Sequence, residues 1–134
     1  MIYDILKELE ATSSRLEKEA ILKREENNEL LKKVFFLAYD PFTQFYQRKI
    51  PAYTIDEPVY HTLASALSKL EKLSNREVTG NLAIQYLSLL LSEVTSDDAQ
   101  VIERIIKKDL KCGASESTAN KIWPGLIHEY PCML

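Results

Sequence analysis

Apolar residues recur along this chain at three- and four-residue intervals, and capping residues interrupt them at nearly every break, while no apolar–polar alternation lasts long enough to make a strand. That rhythm confines the fold to packed helices. Ile2, Ile5, Leu6 and Leu9 define a first amphipathic helix, ended by Thr12, Ser13 and Ser14. Ser14 caps a second, with Glu17 three residues on as in a capping box and Leu16, Ala20 and Leu22 on the buried side. Asn27 and Asn28 interrupt the pattern before Leu30, Leu31, Val34, Phe35, Leu37 and Ala38 resume it in a thoroughly buried third helix.

Asp40 and Pro41 end that helix and open a turn, so that "FTQFYQRK", residues 42 to 49, reads as a short helix with aromatic anchors. "IPAYTIDEP", residues 50 to 58, has two prolines and no period and is read as a connecting loop. Leu63, Ala66, Leu67 and Leu70 mark another helix, and Leu82, Ala83, Tyr86, Leu87 and Leu90 the one after it. Ser96 is the expected cap of the next, which turns Val101, Ile102, Ile105 and Ile106 inward and Arg104, Lys107, Lys108 and Lys111 outward. Gly113 suits the left-handed position that ends such a helix. Ser115 then caps a short helix holding Ala119, Ile122 and Trp123, stopped by Pro124 and Gly125. The expectation is one all-α, compact multi-helix domain over residues 1–134.

Composition agrees. At 134 residues the chain suits a single core, and 46% hydrophobic with 28% charged residues is the balance of a globular protein rather than a collagen-like, disordered or membrane chain. No apolar run approaches the roughly twenty residues that cross a bilayer, and "MIYDILKELEATSSRLEKE" lacks the apolar centre of a secretory signal. Two cysteines, Cys112 and Cys132, make no disulfide framework, and His61 and His128 stand at no metal-ligand spacing, so the sequence reads as cytoplasmic and metal-free.

The net charge of −3 argues at first against nucleic acid, but its distribution matters more. Residues 31 to 54 hold Lys32, Lys33, Arg48 and Lys49 against the single acid Asp40. Near the C-terminus Arg104, Lys107, Lys108, Lys111 and Lys121 outnumber Glu103, Asp109 and Glu116. Local basic surface therefore survives the average.

One stretch, "KDLKCGASESTANKIWPGL", residues 108 to 126, gathers two of the three glycines and the only tryptophan around a run of small polar residues. A glycine lets a backbone approach a partner closely, and a helix start leaves N–H groups without intrahelical acceptors, which together suit an anion. Ser115, Ser117 and Thr118 add hydroxyls there, with Lys111 and Lys121 on either side. Thr79, Gly80 and Asn81, following Arg76 in "REVTGNLAIQYL", repeat the arrangement at a second helix entrance. Ordinary helix caps around compact turns would look the same, and both readings stay open on the residues alone. Trp123 and the aromatic group Phe35, Phe36, Tyr39, Phe42, Phe45 and Tyr46 fall at helical spacing and read as core; Arg48 and Lys49 read as a solvated helix end. No GxxxxGK loop, HExxH, GxSxG or Cys/His pair with a placed acid is present.

With those residues in view the chain resembles the N-terminal DNA-binding domain of ATP-dependent DNA ligases, most closely those of T-even-type bacteriophages. The likeness is strongest in "DLKCGASESTANKIWPGLI", with support from "NNELLKKVFFLAYD" and "REVTGNLAIQYL". It implies an all-helical domain that grips the sugar-phosphate backbone and minor groove of nicked double-stranded DNA in replication, repair and recombination. On that likeness, phosphate contacts belong to Gly113, Ala114 and Ser115, with charge support from Lys111; Asn120 and Lys121 lie on the following helix, and Thr79, Gly80 and Asn81 form the second contact region, while Ser117 and Lys108 join them as DNA-binding candidates from their place in the same stretch. The family's adenylated lysine lies in a Lys-x-Asp-Gly motif, and here Gly80, Gly113 and Gly125 follow Thr79, Cys112 and Pro124, so the motif is missing. The chain alone is then no enzyme, and ATP and magnesium belong to the nucleotidyltransferase and OB domains of the same ligase, beyond the "PCML" ending. A monomer is expected. The alternative is a protein-docking domain that recruits the ligase to replication or repair partners.

Overall fold

The computed structural model describes residues 2–47, 49–55, 59, 61–114 and 116–127. Among these residues the regular elements are all helices: α1 (Ile2–Glu10), α2 (Arg15–Arg24), α3 (Glu29–Tyr39), α4 (Leu63–Ser74), α5 (Gly80–Ser92), α6 (Ser96–Ile106) and α7 (Glu116–Ile122). Helix α6 is central, packing on α1, α3 and α5, while α7 closes against α2 and α3. None of these helices is long and apolar enough to cross a membrane.

Local sequence places most ends. Ser14 accepts from the Glu17 N–H at 3.4 Å, Asn28 from Leu31 at 3.1 Å and Thr62 from Ser65 at 3.2 Å, so each cap satisfies a donor that the first turn leaves over. The start of α6 differs by one residue from expectation: Thr95, not Ser96, is the cap, accepting from Asp98 N–H at 3.1 Å. Thr95 is the residue that keeps an extended backbone, which the capping geometry requires.

Packing overrides periodicity at three places. On α2, Leu22 is fully buried, whereas Leu16 is 76% exposed and Ala20 lies outside with it; α2 packs on α7 and α1 through its other side. On α5, Ala83, Leu87, Leu90 and Leu91 face inward, but Leu82, expected in the core, is 68% exposed. The segment after α3 is not helical over 42–47. Its Phe45 is buried, while Phe42 and Tyr46 point outward, and Tyr46 adopts a left-handed backbone with φ of 59°. The reason lies across the fold: the Lys108 ammonium donates to the carbonyls of Asp40 (2.9 Å) and Thr43 (2.7 Å), two acceptors that a helix starting at residue 41 would have used itself.

The end of α6 is also decided by tertiary contacts. The helix stops at Ile106, and Lys108, with φ of 59°, takes the left-handed position expected of Gly113. Arg104, expected outside, is only 9% exposed: it donates to the Leu110 carbonyl at 3.0 Å and lies over the Tyr3 ring at 5.4 Å. Trp123 is core as expected, 5.9 Å from the Phe35 ring centroid, with its indole N–H donating to the Glu26 carbonyl at 2.9 Å.

Candidate nucleic-acid interface

The turn from Leu110 to Ala114 is built by alternation. Leu110, Cys112 and Ala114 are buried, while Lys111 and Gly113 are exposed, so one side anchors the turn and the other presents a cation beside bare backbone. Arg104 holds the Leu110 carbonyl, and the Asp109 carboxylate accepts from the Lys111 N–H at 2.9 Å, which steadies Lys111 at its φ of 54°. Below the turn the Lys18 ammonium donates to the carbonyls of Leu9 (2.7 Å), Thr12 and Cys112 (3.2 Å). Burial pushes the Cys112 thiol above its ordinary pKa, opposed by a hydrogen bond from the Ala114 N–H and by the charge of Lys18. Leu110 N–H is likewise engaged, by the Tyr39 hydroxyl, whose pKa burial raises.

Gly113 is required here twice over. Its φ is +75°, and an added Cβ would lie 3.0 Å from both Cε and Nζ of Lys18. A flexible side-chain end usually yields to such a contact, but this one is tied to three carbonyls. Gly113→Ala is expected to destabilise the chain by about 1–3 kcal/mol, the sum of the left-handed penalty and weakened Lys18 bonds; a urea melt with an unchanged m-value checks it.

The remaining expected site residues divide clearly. Ser115 lies outside the described residues. Ser117 is exposed on α7, and Lys121 is exposed with its ammonium 2.9 Å from the Glu19 carboxylate. Asn120 turns inward and holds the chain that follows: its amide donates to the Ile127 carbonyl at 3.0 Å and accepts from the Ile127 N–H at 2.8 Å. Lys108 also faces in, donating to Leu37 (2.8 Å), Asp40 and Thr43 carbonyls beneath the Phe45 ring. Burial lowers its pKa, and the Asp40 charge pulls it back up. The basic surface foreseen around this stretch therefore narrows to Lys107, Lys111 and the paired Lys121.

At the second region Thr79, Gly80 and Asn81 are all exposed. Thr79 occupies the N-cap of α5 without a side-chain cap hydrogen bond, and Gly80, with φ of +61°, has nothing within 4 Å of an added Cβ. Beside it Arg76 stacks on Tyr46, guanidinium carbon to ring centroid 4.4 Å, and both residues are left-handed, at φ 58° and 59°. A groove of about 600 Å³ is lined by Tyr46, Gln47, Lys49, Ile50 and Pro51 on one side and by the first turn of α5 on the other. Helical spacing assigns Tyr46 to the core and gives Lys49 no role, because neither the turn nor the meeting with Arg76 leaves a local signal. Among the described residues no group of three or more His, Cys, Asp or Glu could hold a metal ion.

No family model matches the chain. It is 42% identical over 137 aligned residues to the DNA ligase of Enterobacteria phage T4, and equally to that of phage T6; the alignment covers all of this chain and 28% of each ligase. Among solved structures, one named Pmar-Lig_PreS3 is 26% identical with a TM-score of 0.86 over 96% of this chain and 31% of its own. A second, Pmar-Lig_Pre., is 27% identical with a TM-score of 0.80 over 91% and 29%. The all-helical chain is thus related along its whole length to a segment that makes up 28% of the T4 and T6 phage DNA ligases.

Proposed function

We propose that the chain is the DNA-binding module of an ATP-dependent DNA ligase, gripping the sugar-phosphate backbone and minor groove of nicked duplex so that the catalytic domains of the same enzyme can seal the break. The observation that carries this reading is the 42% identity to phage DNA ligases over every part of the chain. The geometry is consistent with it. Lys107 and Lys111 stand exposed beside a glycine turn in which Arg104 draws the Leu110 carbonyl inward and Lys18 the Cys112 carbonyl, while the Asp109 carboxylate is engaged by the Lys111 N–H. The module acts as a monomer in the host cytoplasm and performs no chemistry alone. ATP, magnesium and the adenylated lysine are supplied by the other domains.

A titration of the chain against labelled nicked and intact duplexes at 50 and 200 mM salt tests the reading. Three to five neutralised phosphates give a log–log slope of about −2.7 to −4.5, hence a loss of roughly 40- to 500-fold across that range. Absence of binding at low salt, or binding indifferent to salt, refutes it. Protein docking has one observation in its favour: α5 contains no charged residue and exposes Leu82 at 68% and Leu89 at 57%, a surface suited to a replication or repair partner.

A further inference from the structure

We infer that the groove between the segment bearing Tyr46 and Lys49 and the first turn of α5 seats one strand of a nucleic-acid backbone, with Tyr46 and Lys49 as its contact residues. The inference deepens the proposed function and rests on it. Ile50, Pro51 and Ile84 give the groove aliphatic lining, Asn81 supplies a polar group and Lys49 a cation. Among the described residues no carboxylate lines it, although the whole chain carries a net charge of −3. An apolar wall beside a cation is the chemistry of a deoxyribose followed by its phosphate.

The cations are available. Lys7, Lys23, Arg24 and Lys121 are each engaged by a carboxylate, whereas neither Lys49 nor Arg76 forms an ion pair among the described residues. Arg76 instead lies flat on Tyr46, which remains 56% exposed. Two bulky residues from separate loops hold left-handed backbones, each costing on the order of 1 kcal/mol, to bring this guanidinium and ring together at the groove. The ring is thereby fixed in place with an open edge, which suits packing against a sugar. Continuity with Thr79, Gly80 and Asn81 joins the groove to the second contact region, and through Thr43 and Lys108 the segment bearing Tyr46 is anchored to the chain leading into the Gly113 turn.

The test compares wild type with Lys49→Glu and Tyr46→Ala, binding nicked duplex at two salt concentrations, with thermal melts confirming folded samples. Lys49→Glu is expected to weaken binding about tenfold and to flatten the salt slope by about 1, as loss of one phosphate contact requires. Tyr46→Ala removes a non-ionic contact and should weaken binding about fivefold with the slope unchanged. In the wild-type protein, which no substitution has perturbed, the amide resonances of residues 49, 50 and 80 to 84 should move as duplex is added. Wild-type binding that both variants retain, or wild-type binding without those resonance shifts, overturns the groove as a DNA seat, leaves the proposed function standing and points to an acidic partner instead. A wild-type chain that binds no duplex at low salt overturns the proposed function, and the groove falls with it.

Discussion

Lys108→Met is expected to destabilise the chain by about 2–4 kcal/mol, and to lower the melting temperature by on the order of 10 °C, while leaving the helical spectrum of the folded protein unchanged. The ammonium donates to three carbonyls, Leu37 and Asp40 at the end of α3 and Thr43 in the segment beyond it, all within 2.9 Å. Methionine matches the stem but donates nothing, so these acceptors are left to whatever water reaches them. The segment carrying Phe45 and Tyr46 then loses its tie to the end of α6. DNA binding separates this role from direct contact. A lysine that only positions the chain should, when replaced, weaken affinity without changing the salt slope, because no phosphate contact is lost. A slope smaller by about 1 would mean that Lys108 reaches DNA after all.

Lys111→Glu is the complementary case. Lys111 is exposed, its backbone is held at φ 54° by the Asp109 carboxylate, and its neighbours Leu110 and Cys112 are buried. The side chain projects from a rigid turn yet carries none of the turn's packing. Charge reversal should therefore cost stability less than about 1 kcal/mol beyond backbone effects. Affinity for nicked duplex should fall by about 10- to 30-fold at low salt, because an attractive contact becomes repulsive and the salt slope drops by at least about 1. Unfolding curves and binding isotherms on the same samples decide it. An unchanged affinity in a folded variant would remove the Gly113 turn from the DNA contact surface and leave α5 and its groove as the remaining candidate.

The helices themselves are legible in the residue order wherever a local device sets them. Ser14, Asn28 and Thr62 cap the helices that follow, the apolar stripe of α1 is the one that is buried, and Trp123 sits in the core where its neighbours Ala119 and Ile122 place it. Positive φ at Gly80 and Gly113 also agrees with the residue type. Local rules fail where a distant group competes for backbone. The aromatic run after Asp40 has helical spacing but no helix over residues 42–47, because a lysine from the far end of α6 takes its carbonyls. Arg104 and Lys108 count as surface charge in a tally of basic residues, but both point inward to carbonyls. Side-chain charge says nothing by itself about which way a long, flexible stem will turn.

What the sequence by itself determined is the all-helical class, most helix boundaries and the two glycine turns, since these depend on capping, spacing and φ, which act over a few residues. Only the tertiary structure decided which cations are free. Lys18 and Lys108 each satisfy carbonyls that the fold brings together, and Arg104 turns inward to the Leu110 carbonyl, whereas Lys49, Arg76 and Lys111 form no ion pair among the described residues. That division is non-local because a buried carbonyl needs a donor from whatever segment packs beside it, and no spacing along the chain records which segment that will be.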